Sequence, residues 1–266
     1  MKSEQFEQLV RWFGGYIQPF FSRDGDEFLN ENLRLKECHT HRVCEETRLL
    51  AAALKLDEND TRIAETIALL HDVGRFEQFK KYRTYKDPTS EDHATIALRV
   101  LQQERVLEGL EAQERGWIER AVEYHNKKSL PGGLDEKTAL FAKLIRDADK
   151  IDIHYLVIEN LRLYYENPCT FQLEIEFPDE PYCSREILEA VEQGRLIGYE
   201  ALRTMNDFIL LQIGWVYDIY FDASLRRIVE RRFLEQLISR LPEMDEICRA
   251  TNAVMKYVQN RLAKNG

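Results

Sequence analysis

The sequence is short of several things, and each shortage removes a class of protein. No apolar run approaches the roughly 20 residues that a membrane-spanning helix needs. The opening stretch MKSEQFEQLVRWF has neither the apolar core nor the small-residue cleavage site of a secretory signal. The five cysteines, Cys38, Cys44, Cys169, Cys183 and Cys248, form no C-x-x-C pair and are odd in number. Neither a disulfide framework nor a thiolate metal site is therefore expected, and a cytoplasmic chain with reduced thiols is. Positive charge is in deficit too. A formal net charge of −10 disfavours generic nucleic-acid binding, while a local basic pocket remains compatible with it. Internal repeats, low-complexity tracts and Ser/Gly linkers are also missing.

What is present is helical periodicity along most of the 266 residues, enough chain for a large core. The spacing predicts helices over 3–20, 37–55, 61–72, 112–126 and 136–166. Gly74 is read as a helix stop, KKYRTYKDPTSED as a loop, and Ser90 as the N-cap of a helix carrying His93. FQLEIEF alternates apolar and polar residues and is read as a short strand or extended loop. Three further helical stretches follow, near 184–213, 215–239 and 243–263. Stripes such as Ile228, Phe233, Leu234 and Leu237 show only that this last third packs, within the chain or in a homodimer. The fold class is all-α. One domain is expected over 1–266, with a motif core near 35–160 and a helical C-terminal extension near 161–266.

The six histidines sort by helical phase, because residues three, four and seven apart share a face. His71 lies behind Ala68, Ile67 and Ala64. His93 precedes Ala97, Val100 and Leu101, and His125 follows Val122, Ala121 and Ile118. His39 lines up with Val43, Thr47 and Leu50, with Arg42 and Glu46 dissenting. These four face inward. His41 shares its side with Glu45 and Arg48 and faces water, and His154 is ambiguous between Lys150 and Ile158. Asp149 lies on an apolar stripe of Phe141, Ala142, Ile145, Ile153 and Leu156. Asp152 is close to that face, and Asp147 is the weaker acid.

A single inward histidine is usually a satisfied core residue, and an isolated buried carboxylate is very costly. His39, His71, Asp72, His93, His125 and Asp149 together make a nitrogen and oxygen donor set without sulfur. That set suits Mn²⁺, Fe²⁺, Co²⁺, Ni²⁺ or Zn²⁺, and the histidines disfavour Mg²⁺. So many protein ligands exceed the needs of one reactive ion. Shared between two divalent ions bridged by Asp72, they leave room for water and substrate.

The same residues form motifs. His39-Thr40-His41-Arg42-Val43, Leu70-His71-Asp72-Val73-Gly74-Arg75 and Ala148-Asp149-Lys150-Ile151-Asp152 occur in that order. Asp92-His93-Ala94 and Tyr124-His125-Asn126 lie between the second and third. Over roughly 35–160 this pattern resembles the HD-domain superfamily of metal-dependent phosphohydrolases, and it is similar to a bacterial group marked by His-Asp-x-Gly-Arg-Phe. The resemblance implies an HD-type helical bundle. It also implies a hydrolase with a binuclear metal site and His39 rather than His41 as ligand. The Asp-Gly-x-Gly-Tyr-Pro signature of the cyclic-dinucleotide phosphodiesterases is replaced by Lys127-Lys128-Ser129-Leu130-Pro131-Gly132-Gly133, which argues against that substrate.

The expected substrate is a small phosphorylated compound, of which a nucleotide is one candidate. Arg75 is expected to act with Asp72 in catalysis, its guanidinium clamping a phosphate; the plainer role is a cation at a helix end. Lys80, Arg83 and Lys150 are further substrate-side cations, against which a solvated loop or outward-pointing side chain must be weighed. Tyr82 and Tyr85 could stack on a base, or simply pack. Glu77 and Asp152 are expected behind the histidines, or as surface acids. Two other functions share these residues. A diiron HD-fold oxygenase uses the same ligand set, and a non-catalytic binding module would ordinarily have lost ligands.

Overall fold

The computed structural model describes residues 1–166, 177–178 and 180–264, and among them every regular element is helical. The anticipated extended segment FQLEIEF lies outside the described residues except for Phe177. No helix among the described residues is long and apolar enough to cross a membrane. The chain divides into two compact units, Met1–Asp149 and Lys150–Gly266.

The first unit contains α1 (Ser3–Ile17), α2 (Glu27–Ala53), α3 (Glu58–Leu70), α4 (Gly74–Tyr82), α5 (His93–Gln103), α6 (Ala112–Tyr124) and the beginning of α7 (Glu136–Glu166). Aspartates start several of its helices. Asp26, Asp57 and Asp92 accept the N–H groups of Leu29 (3.0 Å), Asp60 (2.8 Å) and Thr95 (3.1 Å). Such a cap is worth about 1 kcal/mol over alanine. The core is built from one face of each helix: Phe13 and Ile17, Leu33 and Leu50, Ile63 and Ile67, Phe76 and Phe79, Ile96, Ile118, and Phe141 are all buried. α2 packs on α3 and α4, α4 on α5, and α6 on both α3 and α5. Trp117 of α6 meets Phe141 of α7 with ring centroids 5.9 Å apart.

Three local expectations are corrected. α2 begins at Glu27 rather than near 37, because Asp26 caps it and Leu29 and Leu33, one turn apart, reach the core. Gly74 opens α4 instead of ending α3. A Cβ there would lie 2.4 Å from the His93 carbonyl oxygen and 2.7 Å from the Ala97 nitrogen, so glycine is required for α5 to pass close by. α4 ends where Arg83 turns left-handed, at φ 58°. Ser90 does not cap α5. Its hydroxyl donates to the Lys86 carbonyl (2.9 Å) and accepts from Gln78 (2.8 Å), leaving Asp92 as the cap.

The second unit contains α8 (Arg185–Glu192), α9 (Met205–Gly214), α10 (Asp222–Glu230), α11 (Phe233–Ile238) and α12 (Asp245–Lys264), with the end of α7. Every residue of α9 is buried, and α8, α11 and α12 pack around it. Two of the three long stretches expected here are broken into shorter helices. Gly194 at φ 70° turns the chain after α8, and Arg232 at φ 54° separates α10 from α11. Asp207 joins two of the segments by accepting both the N–H (2.7 Å) and the hydroxyl (2.6 Å) of Ser184.

Candidate metal centre

The first unit delivers its polar groups from helix ends. His39 sits within α2, but His71 and His125 are the C-caps of α3 and α6, and His93 is the first residue of α5. Asp72 occupies the turn into α4, and Asp149 comes from α7. Ends suit this purpose because a helix terminus already carries polar backbone groups into the core, where side chains can use them. His39, His71, Asp72, His93 and His125 are all buried, and Asp149 retains 18% side-chain exposure. His41, by contrast, is exposed.

Asp72 organises the cluster. Its Oδ2 lies 3.5 Å from His39 Nε2 and 3.7 Å from His71 Nε2. Its Oδ1 lies 3.4 Å from His93 Nε2 and 3.8 Å from His125 Nε2. Asp149 Oδ1 joins the first pair, 3.2 Å from His39 Nε2 and 3.9 Å from His71 Nε2. One carboxylate thus divides four imidazoles two and two. Burial would raise the pKa of Asp72, but Lys36, His71 and Arg75 outweigh it and hold the acid well below the usual carboxylate range. Asp149 is lowered as well: burial opposes ionisation, and the His39 contact and nearby imidazoles prevail.

The imidazoles are fixed through their other nitrogens. His71 Nδ1 donates to the Ala68 carbonyl and His125 Nδ1 to the Val122 carbonyl, each at 2.7 Å and each three residues back. His93 Nδ1 donates to Asp87 Oδ2, also at 2.7 Å. With those protons in place, all three Nε2 atoms carry lone pairs into the cluster. His71 Nε2 is buried without a hydrogen-bond partner. His93 Nε2 and His125 Nε2 face each other at 2.9 Å, and two lone pairs so close repel unless an electrophile lies beside them. Burial lowers the pKa of His71 to about 4, and burial together with Arg75 does the same for His93. Neutral imidazoles, ionised acids and an orphaned nitrogen fit divalent cations. His39, His71 and Asp72 would hold one, with Asp149 beside them, and Asp72, His93 and His125 would hold another.

The remaining predicted residues have definite places. Arg75 is a strut: its Nε donates to Asp72 Oδ1 (3.3 Å) and its Nη1 to Gln78 (2.8 Å), the Tyr85 carbonyl (2.6 Å) and Asp87 (3.1 Å). Lys80 donates to the Pro19 carbonyl (2.8 Å), and Arg83 pairs with Asp26 (2.8 Å). Lys150 pairs with Asp218 (2.5 Å) in the second unit. The Tyr85 hydroxyl donates to the Asn32 carbonyl (2.9 Å), and Tyr82 lies under Lys81. Glu77 pairs with Arg99 (2.6 Å). Asp147 and Asp152 are buried, as is His154, whose ring lies between the Lys150 and Gln212 carbonyls in the second unit.

Sequence reasoning missed Lys36 and Asp87. Lys36 Nζ lies 2.9 Å from Asp72 Oδ2. The signal was there, since Lys36 stands one helical turn before His39. Asp87 receives His93, Arg75 and Gln78 from a 3₁₀ turn in a loop, where no periodicity points. Burial and the bond from His93 are the opposing influences on it, and its pKa falls to about 2.

Residues 37–153 match the family model described as HD domain. All six residues of the cluster fall inside the match. Proteins of this superfamily are in general metal-dependent hydrolases that bind divalent ions. No curated protein and no solved structure matches the chain.

Proposed function

We propose that the protein is a binuclear metal-dependent phosphohydrolase acting on a small phosphorylated compound such as a nucleotide. The observation that carries this reading is the division of four histidines between the two oxygens of Asp72. Two divalent ions held there would supply Lewis acidity, acidifying water and neutralising phosphoryl charge. The chain's own residues do the rest. Asp72 joins the two halves and stays ionised beside Arg75 and the imidazoles. Asp87 keeps the His93 proton on Nδ1, so that Nε2 remains a donor of electrons. The Ala68 and Val122 carbonyls do the same for His71 and His125. Arg75, anchored to both Asp72 and Asp87, sets the distance between the bridging acid and the His93 support, and through that position contributes to catalysis.

Elemental analysis of gently purified protein tests the metal content. A phosphatase and nucleotide screen with Mn²⁺, Co²⁺ and Ni²⁺ tests the reaction. About two ions per chain and phosphate release are expected. Oxygen consumption by the iron-loaded protein without phosphate release would replace this reading with an oxygenase, and the absence of both activities would leave a binding module.

A further inference from the structure

We propose that Lys36 is the residue that receives the substrate's phosphoryl oxygen, an inference that rests on the phosphohydrolase reading above. The ammonium lies 2.9 Å from Asp72 Oδ2, the oxygen that also faces His39 and His71, and the side chain is 14% exposed. It reaches the cluster from the rim, one turn before His39 on α2, rather than from within the core. Its flank is the Tyr85 ring, 5.2 Å from Nζ. Arg75 also lies against that ring, 5.8 Å from the centroid. Tyr85 is itself held by its hydroxyl on the Asn32 carbonyl and by its carbonyl on Arg75. Lysine, tyrosine and arginine thus form one wall beside the bridging acid.

The charge arithmetic assigns the role. Asp72 Oδ2 is the oxygen that faces the His39–His71 half of the cluster, a group that could hold an ion. A divalent ion and an ammonium on one carboxylate oxygen repel each other. The repulsion is relieved when an anion lies between them, and an entering phosphoryl group is that anion. Lys36, 2.9 Å from Asp72 Oδ2, would give its N–H donors to the phosphoryl oxygen when ions are held beside it. A lysine is suited to this transfer. Its ammonium is a point charge on a flexible stem with three rotatable donors, whereas Arg75 is engaged through Nε and Nη1.

Isothermal titration of Mn²⁺ into chelator-treated protein, then of inorganic phosphate into the Mn²⁺-loaded protein, tests this. Lys36→Met is expected to bind Mn²⁺ at least as tightly as the unaltered protein, because a competitor is gone. It should bind phosphate about tenfold more weakly or worse, the usual consequence of losing a charge-assisted hydrogen bond. Lys36→Arg should keep phosphate affinity to within a few-fold. Undiminished phosphate binding by Lys36→Met overturns the role of Lys36 alone. Loss of Mn²⁺ from Lys36→Met also overturns it, making the lysine a support for Asp72. If the unaltered Mn²⁺-loaded protein binds no phosphate, this role and the phosphohydrolase reading fall together.

Discussion

At the scale of single residues the cluster depends on what each side chain does with its second polar atom. Asp72 uses both oxygens, one for each pair of histidines. Asp72→Asn preserves the shape but exchanges one oxygen for an NH₂ group and removes the charge. Both halves of the site should lose metal together, measured as ions per chain after dialysis; retention of one ion would assign Asp72 to a single half. Asp87→Asn removes the anion that receives the His93 Nδ1 proton. Metal affinity should fall about 10- to 100-fold, as for other carboxylates that support ligating histidines, and metal titration reads this directly. Arg75 touches both acids, so its removal should weaken metal binding as well as turnover. His41 provides the contrast. Its ring is exposed and meets Phe13 edge-on at 6.1 Å, and His41→Ala should leave metal content unchanged and stability within about 0.5 kcal/mol.

At the scale of elements, the close passage of α4 and α5 sets the site. Gly74 opens α4 within contact of the His93 backbone, and His93 opens α5. Gly74→Ala forces these two helices apart, because the obstructing atoms are backbone and cannot rotate away. A loss of about 1–3 kcal/mol is expected from overpacking, read by denaturant unfolding, with metal affinity falling alongside it. This contact also marks where the sequence stops being legible. Glycine after an apolar stripe reads as a helix stop because nothing in one sequence reveals a second helix crossing there. The phase of His71, His93 and His125 against their own alanines, valines and isoleucines was readable, since burial of a helical face leaves a periodic trace. α7 was readable end to end, from Glu136 to Glu166. Asp87 left no trace because a loop residue has no period. Lys36 fell just outside the helix expected from residue 37, so its place one turn before His39 was not read as part of that face. The breaks in the second unit were equally hidden, since an arginine at φ 54° has no compositional signature.

At the scale of the whole molecule, the buried titrating groups couple stability to acidity. His71 and His93 have folded-state pKa values of about 4 against 6.5 for free histidine. Between these limits the unfolded chain takes up protons that the folded chain refuses, so stability falls as pH drops from 6.5 toward 4. Each histidine contributes on the order of 3 kcal/mol to that loss at most. Asp87, lowered to about 2, extends the loss below pH 4, because its stabilisation is complete only above the ordinary carboxylate pKa. Chelator-treated protein should show a melting temperature that declines steadily below pH 6.5, and a flat profile to pH 4.5 would contradict the burial of neutral imidazoles. Saturating metal should lift the melting temperature at neutral pH by mass action. The anchoring of His71 and His125 to carbonyls of their own helices has a kinetic counterpart. Those two imidazoles, already set, have no rearrangement to wait for. Loading is then paced by how quickly each aqua ion sheds its own water, brisk for manganese and sluggish for nickel.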